Sequence, residues 1–266
     1  MSLSLLPGSL GVVISLLLPA PLPDSSLPDF LPRSPLSAPV ESNPVESNNE
    51  QAVAAMQKVF TRLRDLQTWQ GEVVTVNRSP DSPEKRKLHR FRQRGERFFY
   101  VEEWQMTRTA SGKWQPEKRV GTWAGDGVSL FHVDAQNRFT RKKLSSQGVE
   151  LPTNAIFATL KSLTEDKFSE LLRQGNESLA PAEFQSGETW EGKPVSVVRI
   201  PFRGGKHDSM RDGIHFYIDK DNLIRRLILR KDGGEEEIYF PELRLNEDLP
   251  AESFVYTLPP DAQPKP

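Results

Sequence analysis

Between Glu50 and Leu66 the apolar residues Ala52, Met56, Val59, Leu63 and Leu66 recur at helical spacing and fall on one face. An amphipathic helix is predicted there, and "SNNE", Ser47 to Glu50, has the Ser-x-x-Glu form of a capping box at its start. Beyond Trp69 the period changes to alternation. The runs "GEVVTVN", "ERFFYVEEW", "RVGTWAGDG", "GVSLFHVD" and "RFTRKKL" read as short strands separated by Gly, Asp, Asn and Pro signals. From Asn154 to Gly175 the pattern is helical again, in "NAIFATLKSL" and then "TEDKFSELLRQG", where Thr164 suits a cap and Gly175 suits the end. Alternation returns from Ala182 in "EFQSGETW", "PVSVVRIPF", "GIHFYID", "LIRRLILRKD" and "EEEIYFPELRLN", joined by polar turns such as "DKDN" and "KDGG". The order is one helix, five strands, two helices, then five or six strands.

This is the signature of an antiparallel meander, not of βαβ units. A large antiparallel sheet with so few helices buries its aromatic side chains most economically by curling, so that the helices cover the concave face. The fold class expected is α+β: a curved antiparallel sheet of about ten or eleven strands with helices as a lid. Ahead of it, Pro19 to about Asn49 is rich in Pro, Ser and Asn and reads as a tether. The apolar run "LGVVISLLL", Leu10 to Leu18, is too short for a membrane-spanning helix and reads as an export signal or a retained anchor. No Lys or Arg precedes Arg33, and Ala20 and Ala38 are each followed by proline, both unlike a standard signal. The organisation expected is residues 1–20 signal or anchor, 21–49 tether, and 50–261 one folded domain.

Charge narrows the function. Lys plus Arg number 35 against 36 acidic residues in 266, so the basic run "RKLHRFRQRGER" is not part of a generally basic chain. No nucleic-acid partner is expected, since that binding needs a sustained field of uncompensated cations. The chain has no cysteine, which excludes disulfides, thiolate metal sites, a cysteine nucleophile and a lipidated cysteine. His89, His132, His207 and His215 are scattered, with no metal-ligand spacing among them. "GDGVSLF" lacks the context of a phosphate loop and reads as a tight turn. "DKDN" at Asp219 opens like a calcium loop but has Leu223 and Ile224 where glycine would be needed, and reads as a hairpin turn. No catalytic set, metal site or cofactor is expected.

In "RKLHRFRQRGERFFYVEEW", residues 86 to 104, alternation places Phe98, Tyr100 and Trp104 on one face of a strand and Phe99 and Val101 on the other. Arg90, Arg92 and Arg94 alternate with His89, Phe91 and Gln93 on the strand before it, making one polar face.

These segments, in this order, resemble the LolA-type periplasmic lipoprotein carriers and the wider outer-membrane lipoprotein-sorting superfamily. That family opens with an amphipathic helix and a strand, as "QAVAAMQKVFTRLRDLQTWQGEVVTVN" does. Its Arg-Pro-x-x-Phe-x-Trp strand is matched by Arg94, Gly95, Phe98 and Tyr100, and its Asp-Gly-x-x-Leu-Trp-x-Tyr hairpin by "DGVSLFHVD" from Asp126, with Phe131 and Val133 in the last two aromatic places. Its closing Asn and Phe-x-x-x-x-Pro motif is matched within "FPELRLNEDLPAESFVYTLPPDA" by Asn246, Phe254, Pro259 and Pro260. The insertion "TRTASGKWQPEKRVG" and the long tether depart from the family pattern.

The resemblance implies an incomplete β-barrel whose helices cover a hydrophobic cavity for lipid acyl chains, in a protein of the periplasm or cell envelope. It implies a non-enzymatic, monomeric carrier that takes lipid or lipoprotein acyl chains from membrane-bound donor proteins to acceptors. An RseB-like sensor, which detects such lipid and signals to a protein partner, is the alternative. The lining expected is Met56, Phe60 and Leu63 from the first helix with Phe98, Tyr100, Trp104 and Phe131 from the sheet. Arg94, by the same resemblance, locks the lid through backbone carbonyls.

Overall fold

The computed structural model describes residues 47–95, 97–144, 165–203 and 212–265. Helix α1 (Asn48–Arg64) buries Ala52, Val53, Met56, Val59, Phe60 and Leu63, the stripe set by the helical period. Ser47 makes no side-chain cap to the helix backbone; its hydroxyl pairs with Asn49 Oδ1, and Glu50 turns to Arg173 instead. The capping box is therefore absent because its glutamate is engaged in a tertiary contact.

The first run of strands is β1 (Thr68–Ser79), β2 (Ser82–Arg94), β3 (Phe98–Arg108), β4 (Trp114–Asp126), β5 (Ser129–Asp134) and β6 (Arg138–Lys143). There are six, not five, because the charged residues 82–94 form a strand of their own, with Leu88, His89, Phe91 and Gln93 buried. Helix α2 (Glu165–Gln174) follows, ended by Gly175 at φ +70, whose amide closes on Leu171 O at 2.7 Å. The expected helix "NAIFATLKSL" lies outside the described residues. The chain continues with β7 (Glu183–Trp190), β8 (Lys193–Pro201), β9 (Gly213–Ile218), β10 (Ile224–Lys231), β11 (Gly234–Leu245), a 3-10 turn (Ala251–Phe254) and β12 (Gln263–Pro264).

All twelve strands belong to one open sheet in the order β12-β6-β5-β4-β3-β2-β1-β11-β10-β9-β8-β7. Two antiparallel meanders meet where β1 pairs with β11, and among the described residues only the β12–β6 pair is parallel. Laid flat, such a sheet would be roughly 50 Å wide against about 10 Å for a helix. Yet α1 touches β7 and β8 while sharing one contiguous apolar core with Phe99 and Val101 of β3 and with Ile238 and Phe240 of β11. Curling reconciles these contacts, giving the α+β incomplete barrel. A bulge helps: the β1–β11 register shifts between Glu72 and Val74. Beside it, Gly71 at φ +152 brings β1 so close to β11 that a Cβ would stand 2.1 Å from Glu242 O.

Candidate functional site

Residues directly opposite on neighbouring strands share a face, so the pairing assigns every side chain. On the inner face, Phe99 and Val101 of β3, Phe91 of β2 and Trp69 and Val73 of β1 pack toward α1. They join Val198, Ile200, Ile214, Phe216, Ile218, Leu227 and Leu229 from the second meander. Phe168 and Leu172 of α2 are fully buried in the same cluster, and the Phe168 ring stands edge-on to Phe60 at 5.2 Å. The two helices are joined outside by a polar seam. Arg173 binds Glu50 at 2.9 Å, and its carbonyl accepts from Asn49 Nδ2 at 3.1 Å.

Met56, Phe60 and Leu63 lie in the packed inner core. Phe98, Tyr100, Trp104 and Phe131 do not join them: these four stand on the outer face, and their expected grouping with the helix under one lid does not occur. The cause is the hairpin register, in which Arg94 faces Phe98, Arg92 faces Tyr100 and Leu88 faces Trp104. The aromatic residues therefore share the cationic face. The guanidinium of Arg92 lies 4.3 Å from the Tyr100 ring centre, and that of Arg94 lies 4.6 Å from Phe98. Trp104 packs on a small outer cluster of Val74, Val76 and Leu88.

Phe98, Tyr100 and Phe131 are covered by the chain's own C-terminal strap, residues 246–265. Asn246 begins it at φ +54, donating its amide to Thr68 O at 2.8 Å and accepting from Gln67 N at 2.9 Å. Arg94 Nη1 then donates to Leu249 O at 3.0 Å. Phe254, 0 % exposed, packs on Phe98, and Tyr256 lies 6.0 Å from Tyr100 and 6.3 Å from Phe131. The strap ends as β12 on β6, with Gln263 and Lys265 donating to Asn137 O and Phe139 O. Arg94 does hold a backbone carbonyl, but of this strap and not of a lid helix. Gly95 stands at φ +57, a conformation closed to the proline of the family pattern, whose ring holds φ near about −65°.

One polar cluster interrupts the inner face. Glu103 is 5 % exposed; its Oε1 lies 2.6 Å from Lys87 Nζ and its Oε2 3.8 Å from His89 Nε2, and His89 is 4 % exposed. Burial pushes the Glu103 carboxyl up, but the neighbouring His89 and the Lys87 ammonium prevail and hold it at about 2. Nearby His132 stacks on Trp123 at 4.8 Å, and burial, then the charge of Lys265, lowers its proton affinity. Sequence reading missed this cluster and the strap; Glu103, spaced two residues from Val101 on a buried face, carried the available signal. His215 is a buried strand residue, and His207 lies outside the described residues. Among the described residues no three His, Asp or Glu are grouped to hold a metal, and no helix is long and apolar enough to cross a membrane.

An open cleft of about 470 Å³ adjoins the end of α1. It is lined by Arg62, by Lys220, Asp221, Asn222, Leu223 and Arg225 of the β9–β10 hairpin, and by Leu243 and Leu245 of β11. The hairpin is the predicted polar turn. Asp219 Oδ1 accepts from Asp221 N and Leu223 N, and Asn222 takes φ +57.

No family model and no curated protein matches this sequence. Among solved structures, the chain is similar to MucB at 14% identity and a TM-score of 0.43, over 78% of this chain and 63% of that one. It is similar to LprF from Mycobacterium bovis at 12% and 0.39, over 80% and 98% of the two chains. A LolA superfamily protein from Nitrosomonas europaea follows at 12% and 0.33, over 77% and 97%. One of these structures bears the name of the superfamily that the sequence resembles. The chain spans less than two thirds of MucB.

Proposed function

We propose that this chain is a non-enzymatic carrier of the cell envelope, which holds acyl chains of lipids or lipoproteins between its helices and the inner face of its sheet and moves them between membranes. The observation that carries the reading is the inner face itself. Outside the Glu103–His89 cluster it is apolar from β3 across β1 to β8, and α1 and α2 close it through a ring contact and a polar seam, tied to the β7 end by Ala182 N donating to Leu172 O and Phe184 N donating to Asn48 Oδ1. The strands can therefore keep their ladder while the helices part at the cost of these few bonds. The side chains now fill this space, so an acyl chain enters as α2 lifts away from α1. Each methylene transferred from water contributes about 0.8 kcal/mol, enough over a dozen carbons to offset the separation of one short helix.

The test uses the absence of native cysteine. Asn49 donates to the Arg173 carbonyl across the seam, so the double variant Asn49→Cys/Arg173→Cys places one thiol on each helix for a short bifunctional thiol cross-linker. Binding of a fluorescent fatty acid below its micelle concentration is expected in the unlinked form and strongly reduced in the cross-linked form. An unlinked protein that binds no fatty acid refutes the reading. Transfer between donor and acceptor vesicles with no other protein present is expected of a carrier and not of an RseB-like sensor.

A further inference from the structure

Beside the apolar interior, the cleft at the end of α1 combines groups of two kinds. Its floor is Leu223, Leu243 and Leu245, and the last two pack on the inner core. Its rim carries Arg62, Lys220 and Arg225. These cations are not equivalent: Arg225 is held by Asp219 at 2.5 Å, whereas Arg62 and Lys220 have no ion-pair partner among the described residues. Asp221 is the opposing charge on the rim, and Asn222 adds an amide beside it. A cation in the last turn of a helix is favoured by the helix dipole, which accounts for Arg62 but not for Lys220 on a hairpin facing the same cleft.

In a lining that is otherwise polar, leucines continuous with the core and two unpaired cations open to water match the two ends of an ionic amphiphile. We infer that this cleft takes the phosphate-bearing headgroup of the amphiphile whose chains lie between the helices and the sheet, an inference that rests on the function proposed above. Arg62 offers a planar fork to phosphate oxygens, Lys220 a mobile point charge, and the leucines meet the first carbons of the chains. The cleft volume of about 470 Å³ is within the range of small-molecule sites. Arg62 is rooted on α1, so a bound headgroup bridges helix and sheet.

The experiment compares full-length wild type with Arg62→Gln/Lys220→Gln, and with Arg64→Gln as a control outside the cleft. Binding of dihexanoyl phosphatidic acid and of uncharged dihexanoylglycerol is measured by calorimetry below their micelle concentrations. The double variant is expected to lose at least tenfold in affinity for the phosphatidic acid, the loss that even one charge-assisted contact supplies. Binding of the neutral lipid, and of both lipids by the control, is expected to stay unchanged. Equal affinities of wild type and double variant for the phosphatidic acid, or equal losses for both lipids, overturn the inference while leaving the proposed function standing. Failure of wild type to bind either lipid overturns both. Inorganic phosphate is expected not to compete at millimolar concentration; if it displaces the lipid in an Arg62-dependent way, the cleft is a free-anion site and the headgroup assignment is wrong.

Discussion

Replacing Arg94 by leucine removes three contacts at once: the hydrogen bond to Leu249 O at 3.0 Å and the guanidinium packing on Phe98 at 4.6 Å and on Phe254 at 5.6 Å. A hydrogen bond from a charged donor contributes about 1.5–3 kcal/mol, and each exposed cation–ring contact about 0.5–1. Leucine keeps part of the packing, so the strap should lose about 2–3 kcal/mol of its attachment, raising its open population by roughly 30- to 150-fold. Hydrogen exchange reads this directly. The amides of Asn246, Gln263 and Lys265, which bond to Thr68, Asn137 and Phe139, should lose protection by that factor, while the amides of α1 keep theirs. Arg94→Lys retains the charge but not the fork, and should fall between. Arg90→Leu and Arg92→Leu, on the same face without a bond to the strap, should leave these amides protected. If lipid release to acceptor vesicles is governed by the strap, only the Arg94 variants change it. Identical exchange in all three leucine variants would refute the role assigned to Arg94.

Glu103→Gln should cost about 3 kcal/mol at neutral pH, the free energy that corresponds to holding a buried carboxyl at about 2 against its ordinary 4.5. Because the folded value is the depressed one, this stability is complete above about pH 4.5 and lost as the pH falls toward 2; melting curves of wild type and variant should therefore converge in acid, and parallel curves would show that the charge plays no part. Phe168→Ala removes a fully buried ring that stands edge-on to Phe60; a loss of about 3 kcal/mol in denaturant unfolding is expected. Exchange of bound fatty acid should also quicken, and an unaltered exchange rate would show that α2 is not the moving part.

Much of the fold was legible because each level of the sequence agreed. The spacing of Ala52, Met56, Val59 and Leu63 gave α1 and its buried face, and the glycines and aspartates at "DKDN" and "GDG" marked real turns. The phase of β3 was misassigned, although the information was present. A tight turn after Arg94 sets Arg94 opposite Phe98, so once Arg90, Arg92 and Arg94 are read as a polar face, Phe98 and Tyr100 must share it. Large aromatic rings suggested the interior; the register decided otherwise. The covering of those rings by Phe254 and Tyr256 was beyond reach, since it joins residues more than a hundred positions apart with no local period to betray it. Arg94 donates to a carbonyl of the strap, at Leu249, and a carbonyl acceptor leaves no mark on the sequence. The cleft at α1 was equally hidden, because Arg62, Lys220 and Leu243 come from three separate elements.

The meeting of β1 with β11 has a consequence for how the chain is made. β1 finds β2 within a few residues, but its other edge is bonded to residues 235–245, with Trp69 opposite Leu245. During vectorial synthesis the first meander therefore emerges with one open flank and with Phe98, Tyr100 and Phe131 uncovered until residues 246–265 follow. Closure of so many long-range pairs is slow. The nascent first half is the species at risk of strand addition and self-association, so a loss of the final segment strikes residues that were synthesised first.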